Sequence, residues 1–199
     1  MVQLLATQGL LLLEYGSEVW ACPSLDSERK LEQDQERGGR AILGLSWRFP
    51  GVAIRGDMGW TRLKYGQHCK VLKFMGRVRG MGLERWPRIV AEALAERLRT
   101  GTWVDYGYTL LGKYGLLGKW KEENWTENTW SKLVMETLKE GEKAGWAKEI
   151  ARRGDLGAYT LKHKELCQAK YIKGRNGNDI RSEIKERIEW GKHWVKEDQ

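Results

Sequence analysis

Between Arg62 and Arg79 the side chains divide between two sides of a helix, and this division constrains the fold more than any other feature of the sequence. At about 100° per residue, Tyr65, Val71, Leu72, Phe74, Met75 and Val78 share one side, while Arg62, Lys70, Lys73 and Arg77 gather opposite, with Gly66 among them. A helix patterned in this way has to lay its apolar side on other elements. His68 falls within the apolar arc, which predicts a hydrogen-bonded core histidine rather than a catalytic one.

The rest of the chain supplies helices for that packing. Val2 to about Trp20 is leucine-rich with few β-branched residues and reads as a largely buried helix, interrupted near Gly16. Pro23 breaks the chain. Ser24 is a suitable N-cap for a helix with Asp26 and Glu28 in its first turn, which runs to Leu43 and stops at Gly44. Its apolar stripe is Leu31, Gly38, Ile42 and Leu45. Adjacent Gly38 and Gly39 weaken it by about 1 kcal/mol each relative to alanine, and close approach of another helix would be a reason to keep them. Trp47 to Phe49 form a loop, Pro50 opens a short helical turn through Asp57, and Gly59 and Trp60 end that turn before Thr61 caps the helix to Arg79. Beyond the turn at Gly80–Gly82, a helix begun at Pro87 runs to about Arg99 with Ile89, Val90, Ala93, Leu94 and Leu98 predicted inward. An aromatic piece follows (Trp103, Tyr106, Tyr108, Tyr114), then a polar connection from Lys121 to Asn128. Helices are expected over Thr129–Arg152 and Leu161–Ile172, and a last one capped by Asn178 carries Ile180, Ile184, Ile188 and Trp194. No strand reading extends beyond a few residues. The expected fold class is all-α, an irregular multi-helix assembly in three parts, 1–45, 46–101 and 102–199.

Charge is distributed unevenly. Residues 45–101 hold 12 basic and 4 acidic side chains, a net +8 that equals the formal charge of the whole chain. Such asymmetry points to a polyanionic partner, and a merely solvated basic face is its equal rival. Cys22, Cys69 and Cys167 are odd in number and far apart, and His68, His163 and His193 lie at no ligand spacing, so neither a disulfide framework nor a zinc site is expected. The apolar run Leu10–Leu13 is too short to span a bilayer, and no signal peptide is recognisable. These readings predict a soluble intracellular protein, of nucleus or cytoplasm, without a membrane partner.

No complete catalytic centre is expected from the sequence. The aspartates at 26, 34, 57, 105, 155, 179 and 198 form no Asp-x-Asp pair for a metal clamp. Gly112, Gly115 and Gly118 match neither the Walker nor the dinucleotide spacing. Cys69 follows His68 directly, and helical neighbours in sequence do not face each other. No cofactor is expected, and the chain is not expected to be an enzyme by itself. Binding remains: Arg62, Lys70, Lys73 and Arg77, with Arg79, Arg85 and Arg88 just beyond, form a candidate surface for a phosphate backbone. Trp47, Phe49, Trp60 and Trp86 are interleaved with those charges and suit either base stacking or a core.

Several segments resemble a known family. Leu13-Glu-Tyr-Gly-Ser-Glu-Val-Trp20, Arg40-Ala-Ile-Leu-Gly-Leu45, Val52-Ala-Ile-Arg-Gly-Asp-Met-Gly-Trp60, Val71-Leu-Lys-Phe-Met-Gly-Arg77, Met81-Gly-Leu-Glu-Arg-Trp-Pro87 and Leu161-Lys-His-Lys-Glu-Leu166 occur in order. They resemble the region that follows the reverse transcriptase palm in polyproteins of non-LTR (LINE-type) retrotransposons. The palm with its Tyr-x-Asp-Asp pair, the zinc knuckle and the endonuclease are absent from this sequence. The resemblance implies thumb-like helices over 1–45, followed by a helical post-thumb region. It implies that RNA-directed DNA polymerase activity belongs to a parent polyprotein, and that RNA or DNA template-primer is the partner. A first helix made to pack on a palm also implies self-association through exposed apolar surface. The alternative reading is a helical protein-interaction module whose basic face is only solvated.

Overall fold

The computed structural model describes residues 25–97, 100–122, 124–169 and 172. Its elements are α1 (Leu25–Leu43), α2 (Gly51–Met58), α3 (Leu63–Arg79), α4 (Trp86–Glu96), α5 (Trp103–Lys113), α6 (Leu117–Lys121), α7 (Glu127–Ala151), a 3-10 turn (Gly154–Leu156) and α8 (Gly157–Lys162). Among the described residues the fold is an all-α multi-helix assembly without strands. The expected helix over 2–20, its neighbouring cap at Ser24, and the turn and last helix from 173 onward lie outside the described residues.

The helices group into two compact units. The first unites residues 30–62 with the described part of the chain from Lys143 onward; the second contains residues 25–29 and 63–142. In the first unit α2 is the core element, with all eight of its residues buried. Pro50 stands at its N-cap, and Gly59 ends it in the left-handed region at φ 66°, its N–H reaching back to the Gly56 and Arg55 carbonyls. A left-handed residue in that place terminates a helix at least cost when it is glycine. Val52 and Ala53 pack with Trp146, Ile150 and Leu156, while Ile54 and Met58 pack with Leu43 and Ala169. The Trp146 indole N–H donates to the Val52 carbonyl at 3.0 Å, which satisfies the polar tip of a buried aromatic.

In the second unit α3 is the central element. Val71, Leu72 and Met75 form one core with Leu110 and Leu111 of α5, Leu116, Trp120 of α6, and Trp130, Val134 and Leu138 of α7. Two glycines permit this density. A Cβ on Gly76 would stand 2.1 Å from Trp130, and one on Gly107 would stand 1.9 Å from the Met75 sulfur. Trp130 lies over the small face of α3 and donates to the Leu72 carbonyl at 2.8 Å. Thr102 caps α5, its hydroxyl accepting from the Asp105 N–H at 3.2 Å.

Two local expectations are corrected. The helix predicted over Leu161–Ile172 ends at Lys162. There His163 donates from Nε2 to the Gly56 carbonyl at 3.0 Å, and the irregular chain beyond it bonds back from Ala169 N–H to the Asp57 carbonyl at 2.8 Å. The second correction concerns α4: Ile89 and Val90, expected inward, are exposed, and none of its residues is buried. Its Arg88, Ala91, Glu92 and Ala95 instead face the unit, lining a cavity of about 380 Å³ above Met75, Val104 and Trp120.

Candidate nucleic-acid interface

The seven candidate cations divide between the units and between environments. Arg62 belongs to the first unit and pairs with Glu149 of α7. Glu149 also accepts from Arg55 at 2.7 Å, and Arg55, only 2% exposed, lies 3.8 Å from Glu36. Burial works against the charge on Glu149, but the hydrogen bonds and charges of Arg55 and Arg62 outweigh it and hold the carboxyl below its ordinary range. Arg62 is therefore a member of an internal ion network built around α2.

The other six belong to the second unit. Lys70, Lys73 and Arg77 stand at i, i+3 and i+7 along α3, on the side away from the Leu72–Met75 core. Lys70 and Lys73 are half-buried. Arg77 is 60% exposed and its guanidinium lies 3.2 Å from Glu127, itself half exposed. An exposed pair of this kind is worth about 0–1 kcal/mol and yields readily to a competing anion.

Arg79 and Arg88 are committed elsewhere. The Arg79 guanidinium lies over Trp120 and Trp125, 4.8 and 5.0 Å from the ring centroids, and donates to the Trp120 carbonyl. Trp125 stacks on Trp130 and Trp120 is tilted against both, with centroids 4.9 to 5.4 Å apart. Arg88 donates to Glu92 and to the Arg79 carbonyl. These bonds satisfy carbonyls at helix ends, which lack partners within their own helices. Arg85 precedes α4 and is exposed. Of the four interleaved aromatics, Phe49 and Trp60 pack beside the first unit's cores, whereas Trp47 and Trp86 are largely exposed.

Away from α3's cationic side lies a buried polar group that the sequence signalled only through His68. Gln67 and His68 are both buried. The Tyr114 hydroxyl donates to His68 Nδ1 at 2.6 Å, and Nε2 faces Glu28 at 3.7 Å. Burial, then the charges of Lys113 and Lys64, push the His68 pKa down to about 3. Burial and the surrounding tyrosines and glutamates raise that of Tyr114. The pair thus holds a neutral imidazole and a protonated phenol, an arrangement that stores a hydrogen bond and supplies no base near neutral pH. The half-buried Tyr114 partner of His68 was not visible in sequence because 46 residues separate them.

Among the described residues no group of His, Cys, Asp and Glu is placed to hold a metal ion, and no helix is long and apolar enough to cross a membrane. No protein-family model matches the chain, and neither a curated protein nor a solved structure is similar to it.

Proposed function

We propose that this chain is a piece of a LINE-type reverse transcriptase polyprotein, from beyond the palm, that contacts the backbone of RNA or DNA and carries no polymerase centre of its own. The family reading is supported by the ordered resemblance of segments between Leu13 and Leu166. The binding reading rests on one observation: Lys70, Lys73 and Arg77 share a strip of α3 whose opposite side is locked into the core. A rigid helix that presents three cations in a row neutralises successive phosphates without reorganisation. Arg79 and Arg88 are withdrawn from this role by their internal bonds, and Arg62 by Glu149.

Titration of the chain with an RNA–DNA duplex at two salt concentrations tests the reading. Binding should weaken steeply as salt rises. Absence of binding at low salt, or affinity indifferent to salt, overturns it. A second reading, a helical protein-interaction module, is favoured by the outward apolar side of α4. Under that reading Lys70→Gln, Lys73→Gln and Arg77→Gln together leave partner binding intact.

A further inference from the structure

Helix α4 is turned the opposite way from an ordinary surface helix. Leu83 in its lead-in is 70% exposed, Trp86 77%, Ile89 41% and Val90 44%. With Ala93 these residues form one stripe along the helix. The opposite side, Arg88, Ala91, Glu92 and Ala95, is small or charged and faces the unit's own interior. The inversion has a local cause. Arg88 reaches the carbonyl of Arg79, at the C-terminus of α3, and pairs with Glu92 on the next turn of α4. That anchorage leaves the bulky apolar side outward, and a contiguous patch of this kind marks an interaction surface.

The charges along α4 indicate what fits it. From lead-in to C-cap they run Glu84, Arg85, Arg88, Glu92, Glu96, Arg97. Three acids balance three bases, so the element offers no net attraction to a polyanion or to an anionic lipid surface. Arg88 and Glu92 face inward, and of the outward charges Arg85 near the start of the element and Glu96 near its end are opposite in sign. A helix with that property is complementary to itself run antiparallel and repulsive to itself run parallel.

We infer that α4 pairs antiparallel with α4 of a second copy of this chain, forming a two-fold dimer. In an antiparallel two-fold pair each flank of the helix meets the same flank of its partner. Arg85 and Glu96 are eleven residues apart, which brings them to within about 20° of each other around the helix, on one flank of the apolar stripe. Arg85 therefore meets Glu96 of the second copy, twice by symmetry. Both residues are exposed. Ile89 and Val90 straddle the two-fold axis. Trp86, the largest side chain of the stripe, comes opposite Ala93, its smallest, so that each tryptophan enters a slot left by the other chain's alanine. The interface is isologous, as closed dimers require.

Sedimentation velocity of the full chain over a wide micromolar range tests the inference, with no nucleic acid present, so its outcome is independent of the nucleic-acid reading. A reversible monomer–dimer equilibrium is expected. Arg85→Glu alone and Glu96→Arg alone should each weaken the dimer about tenfold, because each places like charges in contact at two symmetric points. The two changes together should restore it. Val90→Asp and Ala93→Trp should leave only monomer, with the thermal midpoint of the monomer unchanged, since neither site is buried. A chain that stays monomeric throughout overturns the pairing, including the case in which a different protein occupies the stripe. A dimer that ignores the single charge reversals, or that the double reversal fails to restore, overturns it as well.

Discussion

His68 carries the sharpest consequence of a single residue. Its imidazole titrates near 6.5 when unfolded and at about 3 in the folded chain, where burial and then Lys113 and Lys64 oppose the charge. Between those values the unfolded state binds the extra proton. Stability should therefore be full above about pH 6.5 and decline as pH falls toward 3, with a limiting slope of about 1.4 kcal/mol per pH unit from this group. Urea unfolding at several pH values across that range checks it. His68→Gln should flatten the decline relative to the unaltered chain, whatever the substitution costs at neutral pH, and parallel profiles would refute the assignment. Arg55 makes a companion case in the first unit. Almost wholly buried and bonded to Glu149, it sits where loss of a carboxylate strands a buried cation, whereas Glu149 and Glu36 each have a second arginine, Arg62 and Arg40. Glu149→Gln should cost about 3 kcal/mol in a urea titration, because it takes the nearer carboxylate from the buried Arg55 guanidinium, and Arg55→Met distinctly less, because Glu149 is partly solvated and keeps Arg62.

At the scale of an element, α1 separates two glycines that look alike in sequence. Nothing lies within 4 Å of a Cβ built on Gly38, whereas one on Gly39 would meet Ile54 of α2 at 2.4 Å. The approach of a second helix, anticipated at this pair, occurs at Gly39 alone. Gly38→Ala should raise stability by about 1 kcal/mol through helix propensity, and Gly39→Ala should lower it by about 1–3 kcal/mol through overpacking. Thermal melts of the two variants side by side decide it: equal shifts of the same sign would contradict the contact. The helix α4 teaches the converse. Its apolar periodicity correctly marked a helix, but periodicity says only which residues share a side, not which side faces in. The Arg88 bond to the end of α3 settled that. Helix α2 was legible as a short turn between Pro50 and Gly59, yet its place as the buried centre of a unit was not, because Arg55 and Asp57 disguise it as surface. Those charges are accommodated by Glu149 and Glu36, and by Tyr159, whose hydroxyl lies 3.1 Å from Asp57.

For the molecule as a whole, the salt dependence of binding is the quantity that reports the candidate surface. Three phosphate contacts from Lys70, Lys73 and Arg77 should contribute about 2–3 to the slope of log affinity against log salt. Replacing all three by glutamine should remove that contribution. A slope unchanged in the triple variant would move the contact elsewhere on the chain. The basic segment was visible in sequence as an excess of charge, and four of its seven candidate residues keep charges on or near the surface, but composition does not reveal how the others spend theirs. Arg62, Arg79 and Arg88 are taken by a carboxylate, by tryptophan faces and by helix-end carbonyls that lie 9 to 87 residues away along the chain. The sequence by itself determined the all-α class, the end of α1 at Gly44, the ends of α2 at Pro50 and Gly59, and the core side of α3. These depend on neighbours within a turn or two, where backbone sterics and helical periodicity act. Tertiary structure alone decided which buried groups meet and which way α4 faces, because both depend on contacts between segments far apart in the chain, and one long-range hydrogen bond outweighs the weak local preference of an exposed helix.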